Sequence, residues 1–242
     1  MDITWLDPSN PHEAFPKVTK ALSNPEGLLA AGGCLKEKRL LNAYRNGIFP
    51  WYEDGQPILW WSPNPRGVLF TNNLYISTSL RKTLRKLDWI ITFDGDFRKT
   101  VMACAAPRSY ARGTWITNEM TDAYCNLNQH GHAHSIELWD QQERLVGGIY
   151  GVLIGRMFYG ESMFSFHTNA SKVAFVYLAI HMHHWGFPLL DCQLPSAHLS
   201  SLGAESISRN KYINLMTSLC AEPTTIDWKL DETLTITDWK NK

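Results

Sequence analysis

Between Asn169 and Gly186 the chain reads NASKVAFVYLAIHMHHWG, a helix-length segment that is apolar almost all round. A helix with no polar face has to be covered on every side, so it belongs inside a domain, packed against a sheet. Gly186 ends it in the manner of a helix C-cap. The segment before it, AHSIELWDQQERLVGGIYGVLIGRMFYGESMF, alternates in polarity and is cut by polar turns and glycines, which predicts antiparallel strands. The segment after it, FPLLDCQ, predicts a further strand. The second part of the chain is therefore a strand meander, a buried helix and a strand, an α+β arrangement.

The rest of the chain frames this core. Residues 1 to about 65 are rich in Pro, Gly and Trp. They hold one helical stretch, LKEKRLLNAYRNG, and then IFPWYEDGQPILWWSPNPRGVLF, where Pro50, Pro57, Pro63 and Pro65 forbid a long helix. Short strands and turns are predicted there, with a domain boundary near residue 65. TSLRKTLRKLD is a helix with Leu80, Leu84 and Leu87 on one face and Arg81, Lys82, Arg85 and Lys86 on the others. WIITFDGDF reads as a strand and turn, and NEMTDAYCNLNQHG as a helix. The region from Ser196 to Leu219 reads as helix or loop, and the tail from Glu222 has no assignable element. Two domains are expected: residues 1–65, a small N-terminal α/β domain, and residues 66–242. Strand–helix–strand behind an antiparallel meander is the outline of an N-acetyltransferase-like (GNAT-like) domain, an analogy of fold that says little of chemistry.

Charge and cysteine content narrow the class. The net charge is +0. Yet from Ile76 to Arg112 there are eight basic and three acidic residues, a net of +5 balanced by −5 elsewhere. A local basic face on a neutral chain suits a polyanion held in one place, although a solvated helix face has the same composition. The five cysteines are odd in number and form no CxxC, so reduced thiols in a cytoplasmic protein are expected. The N-terminus lacks the basic and apolar regions of a signal peptide, and no run of roughly 18 apolar residues predicts a membrane span.

Chemistry concentrates at two strand ends. In LLDCQ, Asp191 and Gln193 stand where buried residues should continue, and an ionised carboxylate there is costly unless paired. In GESMFS, Glu161 ends an aromatic and aliphatic strand in the same way, and in an antiparallel sheet it could lie near the end of LLDCQ. Two acids and an amide at a sheet's open end make a cation site or a general-base site; equally, one acid could cap a helix and the other pair with an arginine. Cys192, between Asp191 and Gln193, is turned to the opposite face by the period of two and reads as a buried thiol. His130, His132 and His134 share a face if extended, but no HExxH and no cysteine pair accompanies them, so no metal is expected. No GxSxG nucleophile motif occurs. Among Trp51, Tyr52, Trp60, Trp61 and Trp115, some could line a cleft between the two parts of the chain.

Together these stretches resemble the leucyl/phenylalanyl-tRNA–protein transferase family. The resemblance is carried by GLLAAGG, LLNAYRNGIFPWY, LWWSPNPRGVLF, RGTWIT, GHAHSIELW, LVGGIYGVLIGRMFYGESMFS, NASKVA and LLDCQLPSAHLSSLGAESISR, in family order from about residue 27 to 209. Cys34 and Asn64 depart from aspartates usual in the family, and the tail after about Pro223 lies outside the resemblance. What the resemblance implies is an aminoacyltransferase moving Leu, Phe or Met from aminoacyl-tRNA to the α-amine of proteins with N-terminal Arg or Lys, marking them for degradation through the N-degron route. It implies no cofactor, a monomer, and an acetyltransferase-like fold beside a small N-terminal domain. It assigns Asp191 and Gln193 to catalysis with Glu161 as third polar residue, Trp51, Trp115, Tyr44, Leu178 and Met182 to the aminoacyl pocket, and Arg81, Lys82, Arg85 and Lys86 to tRNA. Met182 would give a deformable wall. The proton of the attacking amine could go to Asp191, to Gln193 or to the tRNA ribose, with Asp191 the better base than a neutral amide. Two rivals stand beside this reading. An acetyl-CoA-dependent N-acetyltransferase would need the Q/RxxGxG/A pyrophosphate loop, where this chain has TNASK. A non-catalytic RNA-binding module would need the basic face without Glu161, Asp191 and Gln193 together.

Overall fold

The computed structural model describes residues 3–106, 116–223 and 226–241. The chain begins with a four-stranded sheet of β1 (Thr4–Leu6), β2 (Leu28–Gly32), β3 (Phe49–Pro50) and β4 (Leu59–Trp61), in the order β1-β2-β4-β3. Helix α1 (Glu37–Tyr44) lies between β2 and β3. The strands are short, as the prolines of this region require.

From β5 (Arg66–Phe70) onward the chain builds a seven-stranded sheet. Helix α2 (Thr78–Arg85) leads to β6 (Ile90–Phe93), and α3 (Phe97–Ala105) and α4 (Asn118–Gln129) follow. Then come β7 (Ala133–Trp139), β8 (Leu145–Ile154), β9 (Met157–Ser165), α5 (Ala170–His184) and β10 (Leu189–Gln193). Helix α6 (Ala197–Ser200), strand β11 (Glu205–Ile207) and α7 (Arg209–Ala221) complete the elements. The strand order is β11-β5-β10-β9-β8-β7-β6. Helix α3 was not anticipated. Its signals were present: Asp96 caps it by accepting from the Lys99 N–H, and Phe97, Val101 and Cys104 recur at helical spacing and are buried.

The expected antiparallel relation of Glu161 to the LLDCQ strand is corrected here. β7, β8 and β9 are antiparallel, but β9 and β10 run parallel, with Leu189, Leu190 and Asp191 opposite Met157, Phe158 and Tyr159. Helix α5 carries the chain from the end of β9 back to the start of β10, and a crossover of that kind yields parallel neighbours.

The sheet separates two apolar layers. On one face α5 packs across β7, β8 and β9. Val173, Ala174, Val176 and Ala179 are wholly buried, which accounts for the missing polar face of that helix. On the other face Tyr150, Val152 and Tyr159 meet Tyr44 and Ile48 of the first sheet's region, Tyr124 of α4 and Met216 of α7 in one continuous core. The tail that had no assignment from sequence is ordered against the α5 layer. Trp228 and Trp239 pack there, and the Trp239 indole N–H donates to the Leu74 carbonyl at 2.8 Å. Among the described residues no helix is long and apolar enough to cross a membrane.

Candidate active site

The pairing of β9 with β10 stops at Tyr159 and Asp191, and the remaining residues of both strands diverge. Against β5 the strand β10 carries a bulge between Asp191 and Gln193, and Gln193 has φ +60°. Gly67 makes the bulge possible. A Cβ there would sit 2.8 Å from the Leu194 carbonyl oxygen, so only a glycine lets the chain leave β10 across β5. A cavity of about 140 Å³ occupies the divergence, lined by Ile149, Phe158, Met163, Phe175, Leu178 and Leu190 together with Glu161, Asp191 and Gln193. An apolar cavity of about 150 Å³ is enough to take up a benzene ring.

The two acidic residues of this lining have different surroundings. Asp191 is 1 % exposed. Its Oδ1 accepts from Arg66 Nε at 2.9 Å and from the Gln193 N–H at 2.8 Å, and its Oδ2 accepts from Arg66 Nη2 and from the Tyr212 hydroxyl, both at 2.6 Å. All of the roughly four acceptor sites of a carboxylate are thereby used. The Arg66 guanidinium lies 4.8 Å from the Phe49 ring centre and 4.6 Å from that of Tyr212. The Asp191 carboxylate raises the guanidinium's pKa further, against the opposing effect of burial, and keeps it charged. What Asp191 pairs with is thus an arginine 125 positions earlier. Sequence reading missed Arg66, whose place at the head of a buried strand was the signal available. Asp191, expected to take the proton of the amine, has its acceptor sites engaged by Arg66, Gln193 and Tyr212.

Glu161 is 7 % exposed. Its Oε2 accepts from the Tyr124 hydroxyl at 2.6 Å, and its Oε1 from Gln193 Nε2 at 2.9 Å. Tyr124 shares a 2.7 Å hydrogen bond with Tyr44, so Tyr44 stands behind Glu161 in a buried polar chain. Burial pushes the Glu161 carboxyl up to about 7, against the lowering effect of the tyrosine hydrogen bonds. The neighbouring cation, Arg66, is committed to Asp191. The Gln193 amide donates to Glu161 from its nitrogen, which turns its carbonyl oxygen away from that carboxyl group. Cys192 lies on the cavity wall beside Gln193, with burial raising its thiol far from the range of a nucleophile. The bulge separates Asp191 from Gln193, sending the carboxylate to Arg66 and the other side chain to Glu161.

Of the residues expected around the aminoacyl group, Leu178 lines the cavity. Tyr44 is in the network behind it. Met182 does not line it: one turn further along α5, it is wholly buried in the α5 layer, and Met163 is the methionine on the cavity wall. Trp51 is 41 % exposed, tilted against Trp61 with ring centres 5.6 Å apart, and is not on the wall either. Trp115 lies outside the described residues. On α2, Leu80 and Leu84 are buried while Lys82, Arg85 and Lys86 are exposed. Arg81 is partly engaged, donating to Asn241 Oδ1 at 3.0 Å and to the Thr237 carbonyl at 3.4 Å. The Asn169 side chain, at the head of α5, donates to Thr83 at 3.2 Å, so α2 abuts the end of α5 from which β9 and β10 diverge.

The three histidines divide between two carboxylates, His130 and His132 both facing Glu37, the latter at 3.9 Å. His134 bonds Asp94 at 2.6 Å, whereas His130 pairs with Glu37. Among the described residues no group of three or more His, Cys, Asp or Glu side chains is arranged to hold a metal ion.

Comparison with known proteins places this geometry in context. The family model described as leucyl/phenylalanyl-tRNA protein transferase matches residues 68–217, and that of the same family's N-terminal domain matches residues 33–64. The leucyl/phenylalanyl-tRNA–protein transferase of Pseudomonas syringae pv. syringae (strain B728a) is 54% identical over 226 residues, covering 93% of this chain and 97% of that one. The protein of the same name from Stutzerimonas stutzeri (strain A1501) is 52% identical over 227 residues, covering 94% and 99%. Among solved structures, that of L-PGS from Bacillus licheniformis superposes with a TM-score of 0.40 at 10% identity, covering 67% of this chain and 52% of the other, a likeness too low to argue from. On the matched length and identity, this chain belongs to the leucyl/phenylalanyl-tRNA–protein transferase family, aminoacyltransferases that act with tRNA.

Proposed function

We propose that this transferase moves Leu, Phe or Met from aminoacyl-tRNA to the α-amine of proteins that begin with Arg or Lys, marking them for degradation by the N-degron route. The observation that carries the reading is the cavity between β9 and β10: apolar walls of benzene-accommodating size, with Glu161 and Gln193 in the same lining. The donor's side chain occupies the walls, and Met163 supplies the soft surface that tolerates both branched and unbranched chains. The exposed Lys82, Arg85 and Lys86 of α2 take the tRNA backbone. A small N-terminal domain of residues 1–65 precedes a GNAT-like domain of residues 66–242, a reading supported by the parallel β9–α5–β10 unit behind the meander. The enzyme works as a cytoplasmic monomer.

An aminoacyl ester is already activated, and an α-amine with a pKa of about 7.7–8.0 is a competent nucleophile once neutral. Positioning therefore supplies much of the rate. The amine attacks the ester carbonyl carbon, the C–N bond forms, and the C–O bond to the ribose breaks. The Gln193 carbonyl oxygen accepts from the amine and aims it. Glu161 takes the proton the amine loses and returns it to the leaving ribose oxygen, so the site ends as it began. Two carboxylates face one guanidinium here, so ionised Glu161 carries an unbalanced charge, and a cationic first residue on the acceptor offsets it. Asp191 serves by anchoring the bulge through Arg66 and the Gln193 N–H.

Single-turnover transfer from phenylalanyl-tRNA to peptides beginning with Arg or Ala tests this. Glu161→Gln is expected to lower kcat by about 10²-fold at saturating Arg peptide, the range of lost general-base catalysis. The wild type is expected to reject the Ala peptide. Normal kcat in Glu161→Gln with a raised KM for the Arg peptide would make Glu161 a grip for the acceptor and not the proton acceptor.

A further inference from the structure

The segment 226–241, beyond the part of the chain that the family model matches, touches the wall of the cavity. The Trp228 ring lies 5.6 Å from Phe158 at an interplanar angle of 7°, and 4.5 Å from His134 at 20°. Phe93 and Trp185 each approach it at 5.5 Å, and its indole N–H donates to the Ser135 carbonyl at 3.1 Å. Gly151 explains why this is possible. It stands opposite His134 on β7, and a Cβ on it would come within 2.5 Å of the Phe158 ring. Without that Cβ the Phe158 ring lies down on the sheet, where Trp228 covers it. Phe158 is also a wall of the cavity. The segment is held at other points as well: the Asp231 N–H donates to His181 Nε2 at 3.1 Å, and Asn241 exchanges hydrogen bonds of 2.8 and 3.0 Å with the backbone of Ile76.

We propose that Trp228 is a positioning residue for donor choice. By holding the Phe158 ring against the sheet, the C-terminal segment sets the width of the cavity and so the balance between leucyl and phenylalanyl donors. The inference rests on the reading that the cavity takes the aminoacyl side chain. Hydrophobic pockets separate side chains that differ by one methylene by about 10–200-fold, so a wall free to retreat changes selectivity measurably.

The test compares kcat/KM for leucyl-tRNA and phenylalanyl-tRNA in Trp228→Ala, Trp228→Phe and Trp228→Leu, with Leu178→Ala and Met163→Ala as direct wall variants. Trp228→Ala is expected to raise the phenylalanyl-to-leucyl ratio by about 10-fold, the low end of that range. The change should lie in donor KM, with acceptor KM unmoved. Trp228→Phe keeps a planar face on Phe158 and is expected to restore the ratio. If the alanine variant fails to fold, as circular dichroism would show, Trp228→Leu is scored in its place, since it keeps apolar bulk but loses the planar face. An unchanged ratio in the folded Trp228 variant, while Leu178→Ala and Met163→Ala shift it, overturns the role of Trp228 and leaves the cavity reading standing. An unchanged ratio in all of them overturns the cavity reading, and this inference with it.

Discussion

Asp191 and Arg66 are each about 1 % exposed, so each supplies the counter-charge without which the other could not stay buried. Removing one partner of such a pair leaves an uncompensated charge, at a cost of about 3–5 kcal/mol. Arg66→Met is expected to destabilise the fold by that amount in urea unfolding. The double variant Arg66→Met with Asp191→Leu is expected to recover most of it, because no buried charge remains. Equal destabilisation by the single and double variants would show that the packing of Arg66 between Phe49 and Tyr212 matters more than its charge. Asp191 shows how far a residue could be understood before its partner was known. That a carboxylate after two leucines needs a partner follows from desolvation alone. Which group provides it does not, since Arg66 is 125 positions away and no local period connects the two.

At the scale of elements, α2 is the most self-contained. Ser77 caps it by accepting from the Leu80 N–H, Leu80 and Leu84 anchor it, and the cations fall on the faces left over. Reversing Arg85 and Lys86 to Glu is expected to weaken aminoacyl-tRNA binding and to flatten its log–log salt dependence by about 0.7–0.9 for each lost phosphate contact. A short aminoacyl-adenosine donor, which lacks the backbone, is expected to be nearly unaffected; equal losses with both donors would remove α2 from tRNA binding. Arg81→Ala is expected to act otherwise. Its guanidinium ties down Thr237 and Asn241, so its loss should loosen the C-terminal segment, seen as faster amide exchange there, with little change in the salt slope. The four cations look equivalent in sequence because spacing reports the face of a helix. It does not report what a distant segment lays upon that face.

Across the whole molecule, two buried carboxylates couple folding to pH. Burial raises Glu161 to about 7 and also raises Glu137, which accepts from Thr92, Gly95 and Ser135. A carboxyl whose folded pKa exceeds its unfolded value of about 4.3 holds more protons in the native state between the two values, so stability falls as pH rises through that window. For Glu161 the window runs from about pH 4.3 to about 7 and its full extent is about 3–4 kcal/mol. Glu161→Gln removes the titration. The melting temperature of this variant relative to the wild type is therefore expected to rise between pH 5 and pH 8, by several degrees for a chain of this size. A difference that stays constant with pH would mean that Glu161 titrates normally.

The sequence by itself determined the elements whose cause is local. The segment at 170–184, apolar almost all round, had to be a covered helix, the alternating run before it a meander, and the leucines of α2 one face of a helix. It also determined that Glu161, Asp191 and Gln193 were the anomalies to explain, because polar groups in buried strands are costly whatever surrounds them. Tertiary structure alone decided their relations. The parallel pairing of β9 with β10, the bulge that parts Gln193 from Asp191, the choice of Arg66 as counter-ion and the tyrosines behind Glu161 all join residues tens of positions apart. The tail had no internal period to read, and its place came from the aromatic surface of α5, β7 and β9 that Trp228 covers. Periodicity encodes which side of an element is buried, whereas the partner across the interface is selected by packing and charge complementarity once the elements have met.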